Sequence, residues 1–121
     1  MEMTKNENTI DLTYLKQLSN GDVDFVREMI VVFMEQTPEG IGQMEKHLQD
    51  KNWKMLRAVV HKMKPSFSFV GLKELNLTIN SIEEYAEKET HLDLIPELIA
   101  KLKSGCAQAM VELEEAKKLF Q

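Results

Sequence analysis

The chain has 121 residues, of which 43% are hydrophobic and 29% charged, and its formal net charge is −5. This length suits one domain with one core, and the acidic balance argues against general nucleic-acid binding, which depends on neutralising phosphates. The longest uncharged apolar run, Met29–Met34, is too short to cross a bilayer. No secretory signal opens the chain, and the single cysteine, Cys106, fits a reducing compartment. We therefore predict a cytoplasmic protein with a single domain over residues 1–121.

Leu, Met, Glu, Lys and Gln are plentiful and strand-like alternation is scarce, which favours helices. Asp11–Leu18 predicts a short helix that ends near Gly21, and Asp22 is a suitable N-cap for the second helix. Pro38 lacks the N–H that would bond the Met34 carbonyl, so we expect a bend there or two consecutive helices. The apolar side of the first helix consists of Ile10, Leu12, Leu15 and Leu18.

The third helix is predicted to start at Trp53, with Asn52 as its N-cap. Gly71 suits the position just past its end, and Leu72 the hydrophobic contact of a Schellman-type ending. The apolar stripe of this helix consists of Met55, Leu56, Val59, Val60, Met63, Phe67 and Val70. The stripe of the fourth helix consists of Leu72, Leu75, Ile79, Ile82 and Ala86.

The last helix is predicted to start from Asp93 as N-cap, which puts Pro96 in the first turn, where its missing N–H costs no intrahelical bond. Its apolar stripe continues to Phe120 and includes Cys106, for which a core position is the simplest role. Four long amphipathic helices with short turns predict an all-α fold: an antiparallel up-down-up-down four-helix bundle, with the short N-terminal helix closing one end.

His61 lies on the polar side of the predicted third helix, opposite the apolar stripe. Its neighbours within about 60° on the helical wheel are cations and small residues: Lys54, Arg57, Ala58, Lys64, Pro65 and Ser68. The segment from Lys51 to Lys73 contains six cations and no acid, so the remainder of the chain carries −11. A basic island around one histidine favours a local anion, such as a phosphoryl group or an acidic pocket of a partner. The alternative is a solvated helix face that happens to lack acids.

An exposed imidazole is mostly neutral at cytoplasmic pH and offers a nucleophilic nitrogen. Phosphorylation of His61 would add about two negative charges, which Lys64, one turn along, would offset by a charge-assisted hydrogen bond. Arg57 and Lys62 are further candidate cations. Phe69 lies about 80° from His61 on the wheel and is a candidate contact for a partner. Small side chains leave room for a partner to close over the site: Ala58, Pro65 and Ser68.

The segment HKMKPS at residues 61–66, followed by Gly71 and Leu72, resembles the signature of histidine-containing phosphotransfer (HPt) domains. That signature is a His, a Lys three residues on, a small residue after the Lys, and a Gly ten residues past the His. The layout of the helices is also similar to this family, across roughly residues 8–118. The resemblance implies that His61 accepts a phosphoryl group, that Lys64 stabilises its charge, and that Gly71 lets the third and fourth helices pack closely.

The chain departs from the family at Pro65, where Gly usually follows the Lys. Because Pro65 cannot donate to the His61 carbonyl, we expect the helix to bend or open locally. An alternative interpretation ends the helix at Lys64 and leaves Phe67 to Val70 extended. We prefer the helix, because Phe67 and Val70 continue the apolar stripe.

The resemblance also implies a phosphocarrier rather than an enzyme. Its partners would be the receiver domain of a hybrid histidine kinase and the receiver domain of a response regulator, with no nucleic acid and no membrane. No cofactor or metal is expected on this chain, since the receiver supplies the phosphoaspartate and the Mg²⁺. We expect a monomer, and a free-standing protein rather than a domain excised from a larger hybrid kinase.

Three other functions compete with phosphotransfer. The dimerisation domain of a sensor kinase generally has an acid after its His, whereas Lys62 follows His61, and no glycine-rich box occurs. A metal site is disfavoured, because no Glu-x-x-His pair occurs and His47, His61 and His91 fall on different predicted helices or turns. A helical adaptor that docks on receiver domains without transferring phosphate remains open. Replacing His61 with Gln would abolish transfer but leave an adaptor unaffected.

Overall fold

The computed structural model describes residues 10–118, and this part of the chain is helical outside its turns. The helices are α1 (Thr13–Ser19), α2 (Val23–Gln49), α3 (Trp53–Phe69), α4 (Lys73–Lys88) and α5 (Ile95–Lys118), with a 3₁₀ turn at Leu92–Leu94 before α5. α3 packs between α2 and α4, α5 packs on both α4 and α2, and α1 covers part of α2. The predicted four-helix bundle with a short N-terminal helix is therefore confirmed. None of the described helices is long and apolar enough to span a membrane.

Side-chain caps satisfy backbone donors in the first turns of α2 and α3. Asp22 Oδ1 accepts a hydrogen bond from the Phe25 N–H at 3.1 Å, and Asn52 Oδ1 accepts one from the Met55 N–H at 3.2 Å. Each satisfies a donor that has no partner within its helix. The predicted N-caps Asp22 and Asn52 are confirmed, and they set where α2 and α3 begin.

α3 ends in the predicted Schellman motif. The Gly71 N–H donates to the Ser68 carbonyl at 3.2 Å and the Leu72 N–H to the Phe67 carbonyl at 3.0 Å. Gly71 has a φ of +68°, and a Cβ there would overlap the carbonyl oxygen of Asp11. The three heavy atoms nearest to such a Cβ all belong to Asp11, so Gly71 allows a close contact with the segment before α1. Its implied role in the packing of α3 against α4 stays a prediction.

Both internal prolines lie within continuous helices. α2 runs for 27 residues through Pro38, and α3 continues through Pro65 to Phe69. A division of α2 at Pro38 and an end of α3 at Lys64 are therefore both wrong. A proline inside a helix costs about 3 kcal/mol, and core burial of the flanking turns offsets this loss, since Ile41 and Phe67 are 5% and 0% exposed.

Other differences from the prediction occur at the ends of elements. Asp93 lies inside the 3₁₀ turn, two residues before α5, and not at the N-cap of that helix. Leu18 and Met55, both placed on apolar stripes, are 49% and 44% exposed, because a helix buries only its central stripe and these two residues lie at its margins. Phe120 falls outside the described residues.

The core fixes which face of α3 points outward. The rings of Phe33 on α2 and Phe67 on α3 pack with centroids 5.8 Å apart and planes tilted by 59°. Leu56 and Val60, on the same side of α3, are fully buried. With this stripe held inward, the residues on the opposite side of the helix face solvent.

Candidate functional site

His61 lies in the middle of α3, on its outward face. Its side chain is 67% exposed, whereas Val60 and Leu56 behind it have no exposed surface. A packed core therefore holds the backbone of α3 while the imidazole reaches solvent. The structure places His61 as the sequence analysis predicted.

Glu83 on α4 joins His61 and Lys64 on α3. Its Oε2 lies 2.7 Å from Nδ1 of His61, and its Oε1 accepts a hydrogen bond of 2.6 Å from Nζ of Lys64. A carboxylate can only accept hydrogen bonds, so Nδ1 carries the hydrogen of this pair. In the neutral ring, Nε2 is then the nitrogen with a free electron pair.

The carboxylate of Glu83 is almost fully buried, with 9% of the residue exposed. Burial by itself raises the pKa of Glu83, but the hydrogen bonds from Lys64 and His61 outweigh it, and the net pKa lies below the ordinary value of a glutamate. Glu83 is therefore ionised at neutral pH. The cluster of His61, Lys64 and Glu83 thus contains one fixed negative charge and one positive charge beneath an exposed imidazole.

Glu83 is not among the site residues predicted from the motif, although the sequence contains a signal for it. The residue comes four positions after Ile79 and three before Ala86, and both belong to the apolar stripe of α4. Its side chain therefore lies at the edge of the core-facing surface. An acid at such a position is costly unless it is paired, so it indicates a partner on the neighbouring helix.

Arg57, one turn before His61, is directed toward a second acid on α4. Its Nε lies 3.7 Å from Oε1 of Glu87, and this nitrogen is buried without a hydrogen-bond partner. The pair continues the charged seam between α3 and α4 that Glu83 begins. Arg57 thus pairs with an acid of α4 in the structure.

Four of the predicted site residues meet in one open groove of about 430 Å³ between α3 and α4, which we call the α3–α4 groove. Its other lining residues are two amides of α4 that the sequence analysis did not single out. The lining consists of His61, Lys64, Pro65, Ser68, Asn76 and Asn80. The groove therefore offers a partner hydrogen-bonding groups and one cation next to the imidazole.

Ala58 and Lys62 lie on the other side of His61, where they line a second groove of about 300 Å³ between α2 and α3, the α2–α3 groove. The two helices approach closely here, since a Cβ on Gly40 would lie 2.6 Å from Sδ of Met63. Ala58 and Lys62 are both exposed. The imidazole is thus flanked by an open groove on each side.

Phe69 lies at the end of α3, away from both grooves. Its ring stacks on Tyr14 of α1, with centroids 6.3 Å apart and planes 12° from parallel. Phe69 is half-buried and Tyr14 is 52% exposed. The predicted exposed contact is therefore a stacked aromatic pair that joins α1 to the end of α3.

The fold and the site together define a class of protein: a helical bundle that presents one histidine on the outward face of a central helix, with a lysine one turn along. The family model of the Hpt domain matches residues 28–116. The chain belongs to the Hpt domain family. It is a phosphotransfer domain of the phosphorelay type and not a kinase.

The fold is similar to the crystal structure of histidine-containing phosphotransfer protein B (HptB) from Pseudomonas aeruginosa PAO1. The TM-score is 0.85 at 20% sequence identity, over 93% of this chain and 97% of that chain. No curated protein sequence matches the chain significantly. At this identity the structural match supports the bundle architecture, while the family model establishes the family.

Proposed function

We propose that His61 accepts a phosphoryl group on Nε2 from the aspartate of one receiver domain and passes it to the aspartate of another. The observation that carries this proposal is the pairing of Nδ1 with Glu83 on a side chain that is 67% exposed. The pairing commits the ring to one tautomer and directs the free electron pair of Nε2 away from the bundle. Membership of the Hpt domain family supports the same assignment.

The first transfer requires little chemistry from this chain. The electron pair of Nε2 attacks phosphorus as the bond to the carboxylate oxygen of the receiver's aspartate breaks, and that oxygen keeps the bonding pair. The receiver supplies the Mg²⁺ that neutralises the phosphate oxygens, and no cofactor is proposed on this chain. The bundle contributes a positioned imidazole of the correct tautomer.

Lys64 is proposed to stabilise the phosphoryl group. Its ammonium has three donors, one of which is bound to Glu83, and its side chain is 34% exposed. It can therefore keep its bond to Glu83 and donate to a phosphoryl oxygen on the adjacent imidazole. Phosphorylation adds about two negative charges, so this contact favours the phosphorylated form.

Receiver domains are proposed to close over His61 and to contact the grooves on both sides. The α3–α4 groove supplies Pro65 and Ser68, and the α2–α3 groove supplies Ala58 and Lys62. Small side chains near the imidazole allow a partner's active site to approach. The cations of this face complement the acidic residues that bind Mg²⁺ in the partner.

A transfer assay tests the proposal. A receiver domain carrying labelled phosphoaspartate is mixed with the wild type, with His61→Gln and with His91→Gln as a matched control on an exposed histidine of the α4–α5 turn. We expect acid-labile, alkali-stable label on the wild type and on His91→Gln alone. Label on His61→Gln would mean that another residue is the acceptor. Binding of the receiver without label on any protein would favour the adaptor, and a stable homodimer would favour the sensor kinase domain.

A further inference from the structure

We propose that Glu83 is a positioning residue for the second half of the relay, the discharge of the phosphoryl group from His61. By holding a proton on Nδ1, it ensures that the phosphoryl group departs from a neutral imidazole. This inference rests on the proposed function, and it assigns a role to a residue on α4 that lies outside the His61–Gly71 motif.

The geometry supports a role after phosphorylation as well as before it. When Nε2 bonds to phosphorus and Nδ1 keeps its hydrogen, the ring carries a positive charge. The Glu83 carboxylate lies 2.7 Å from that nitrogen and is 9% exposed. A carboxylate at this distance favours the ring that carries a hydrogen on Nδ1, because a charge-assisted hydrogen bond is stronger than a neutral one. The hydrogen bond from Nδ1 to Glu83 can therefore stay in place when Nε2 is phosphorylated.

In the discharge step, the phosphoryl group moves from Nε2 to the acceptor aspartate while Nδ1 keeps its proton. The bond between Nε2 and phosphorus breaks, and its electron pair returns to Nε2. A carboxylate oxygen of the acceptor aspartate forms the new bond to phosphorus. Nδ1 keeps its hydrogen throughout, so the leaving group is neutral imidazole, still donating to Glu83. Without that proton the leaving group would be an imidazolate anion, which is a far stronger base and departs more slowly.

The surrounding charged groups favour Glu83, and not Glu87, for this role. His61 and Lys64 face it from α3. On α4, Asn80 is uncharged one turn before it, and Glu87, one turn after it, lies 3.7 Å from Arg57. In the unphosphorylated protein, Lys64 compensates the charge of Glu83. After phosphorylation, Lys64 donates hydrogen bonds to both Glu83 and the phosphoryl group.

The test uses Glu83→Gln, with Glu84→Gln as the matched control, because Glu84 is the next residue of α4 and is exposed. Each protein is loaded with phosphoramidate, a small-molecule phosphoryl donor, so that loading needs no partner. Discharge to a receiver domain is then timed across neutral and alkaline pH, and circular dichroism checks the fold.

We expect discharge from Glu83→Gln to be about tenfold slower than from the wild type at neutral pH. The pH at which discharge falls off is expected to be lower in Glu83→Gln, because the amide carries no charge to favour the protonated ring. Glu84→Gln should match the wild type in both respects. A merely structural role for Glu83 would not shift this pH profile.

Loading of Glu83→Gln on His61 followed by discharge with the wild-type rate and pH profile would overturn the role of Glu83 and leave the proposed function intact. Failure of His61 itself to load in the wild type would instead contradict the proposed function. If Glu83→Gln does not fold, Glu83→Asp replaces it. Its carboxylate is one methylene further from Nδ1, so slower discharge is expected, and the wild-type rate would again overturn the inference.

Discussion

The carboxylate of Glu83 on α4 holds the imidazole of His61 on α3, with 2.7 Å between Oε2 and Nδ1. The contact joins α3 and α4 at a point where the Glu83 side chain is mostly buried and the imidazole is exposed. It therefore links the packing of two helices to the tautomer of one ring. The proposed chemistry at Nε2 depends on this link.

Replacing Lys64 by Gln should lower the initial rate of phosphorylation of His61 by about tenfold, the effect of one charge-assisted hydrogen bond to the incoming phosphoryl group. Initial rates of label transfer from a phosphorylated receiver measure this effect. Lys54→Gln is the control, because Lys54 is an exposed cation of the same helix. Equal slowing in the two variants would show that the overall charge of the face, and not Lys64 itself, is what matters.

The stability that Glu83 contributes should disappear in acid. Its pKa is lowered in the folded protein, since the hydrogen bonds from Lys64 and His61 outweigh the opposing effect of burial. The unfolded chain therefore binds the proton first as the pH falls, and the contribution, complete above the ordinary pKa of 4.5, is lost as the pH drops through the folded pKa.

Urea unfolding of the wild type and Glu83→Gln at a series of pH values measures this contribution. The difference in the free energy of unfolding should be larger above the ordinary carboxyl range than below it, where Glu83 becomes protonated. Glu84→Gln should show a small difference at every pH. A difference between the wild type and Glu83→Gln that stays undiminished below the ordinary carboxyl range would contradict the account.

Gly71→Ala should destabilise the protein by about 2 kcal/mol or more, because a left-handed residue with a side chain is strained and its Cβ would overlap the Asp11 carbonyl. Gly42→Ala is the matched control. Gly42 lies within α2 with open space around it, so alanine there should stabilise by about 0.5–1 kcal/mol. Chemical denaturation of both variants measures these changes. An unchanged free energy of unfolding in Gly71→Ala would contradict this explanation of the turn.

Pro65→Ala should stabilise the fold by about 1–3 kcal/mol, because alanine restores the N–H that can bond the His61 carbonyl in a continuous helix. Pro65 is exposed, so no core packing is lost. Pro96→Ala is the matched control. Pro96 lies in the first turn of α5, where an N–H has no intrahelical acceptor, and thermal unfolding should show little change. Destabilisation by Pro65→Ala would mean that the proline itself supports the local backbone.

The parts of the fold that depend on nearby residues were predictable. The caps at Asp22 and Asn52 and the turn at Gly71 each involve groups within a few positions along the chain, so the residue types alone indicate them. The continuity of α2 through Pro38 was not predictable in this way. It depends on core contacts of the flanking turns, and local propensity carries no information about those contacts.

The exposed position of His61 follows from helical periodicity, but its partner does not. Glu83 is 22 residues away, and the contact depends on how α3 and α4 are aligned along their axes. The same limit applies to Arg57, which periodicity placed near His61 and which the structure directs to Glu87. The site thus has a part that one helix determines and a part that exists only when two helices pack.

The most direct test of the central claim is a long-range ¹H–¹⁵N spectrum of the imidazole rings in the ¹⁵N-labelled, phosphorylated protein. The account predicts that His61 carries the phosphoryl group on Nε2 and a hydrogen on Nδ1, with His47 and His91 unmodified. A phosphoryl group on Nδ1 of His61, or on either of the other two histidines, would contradict it.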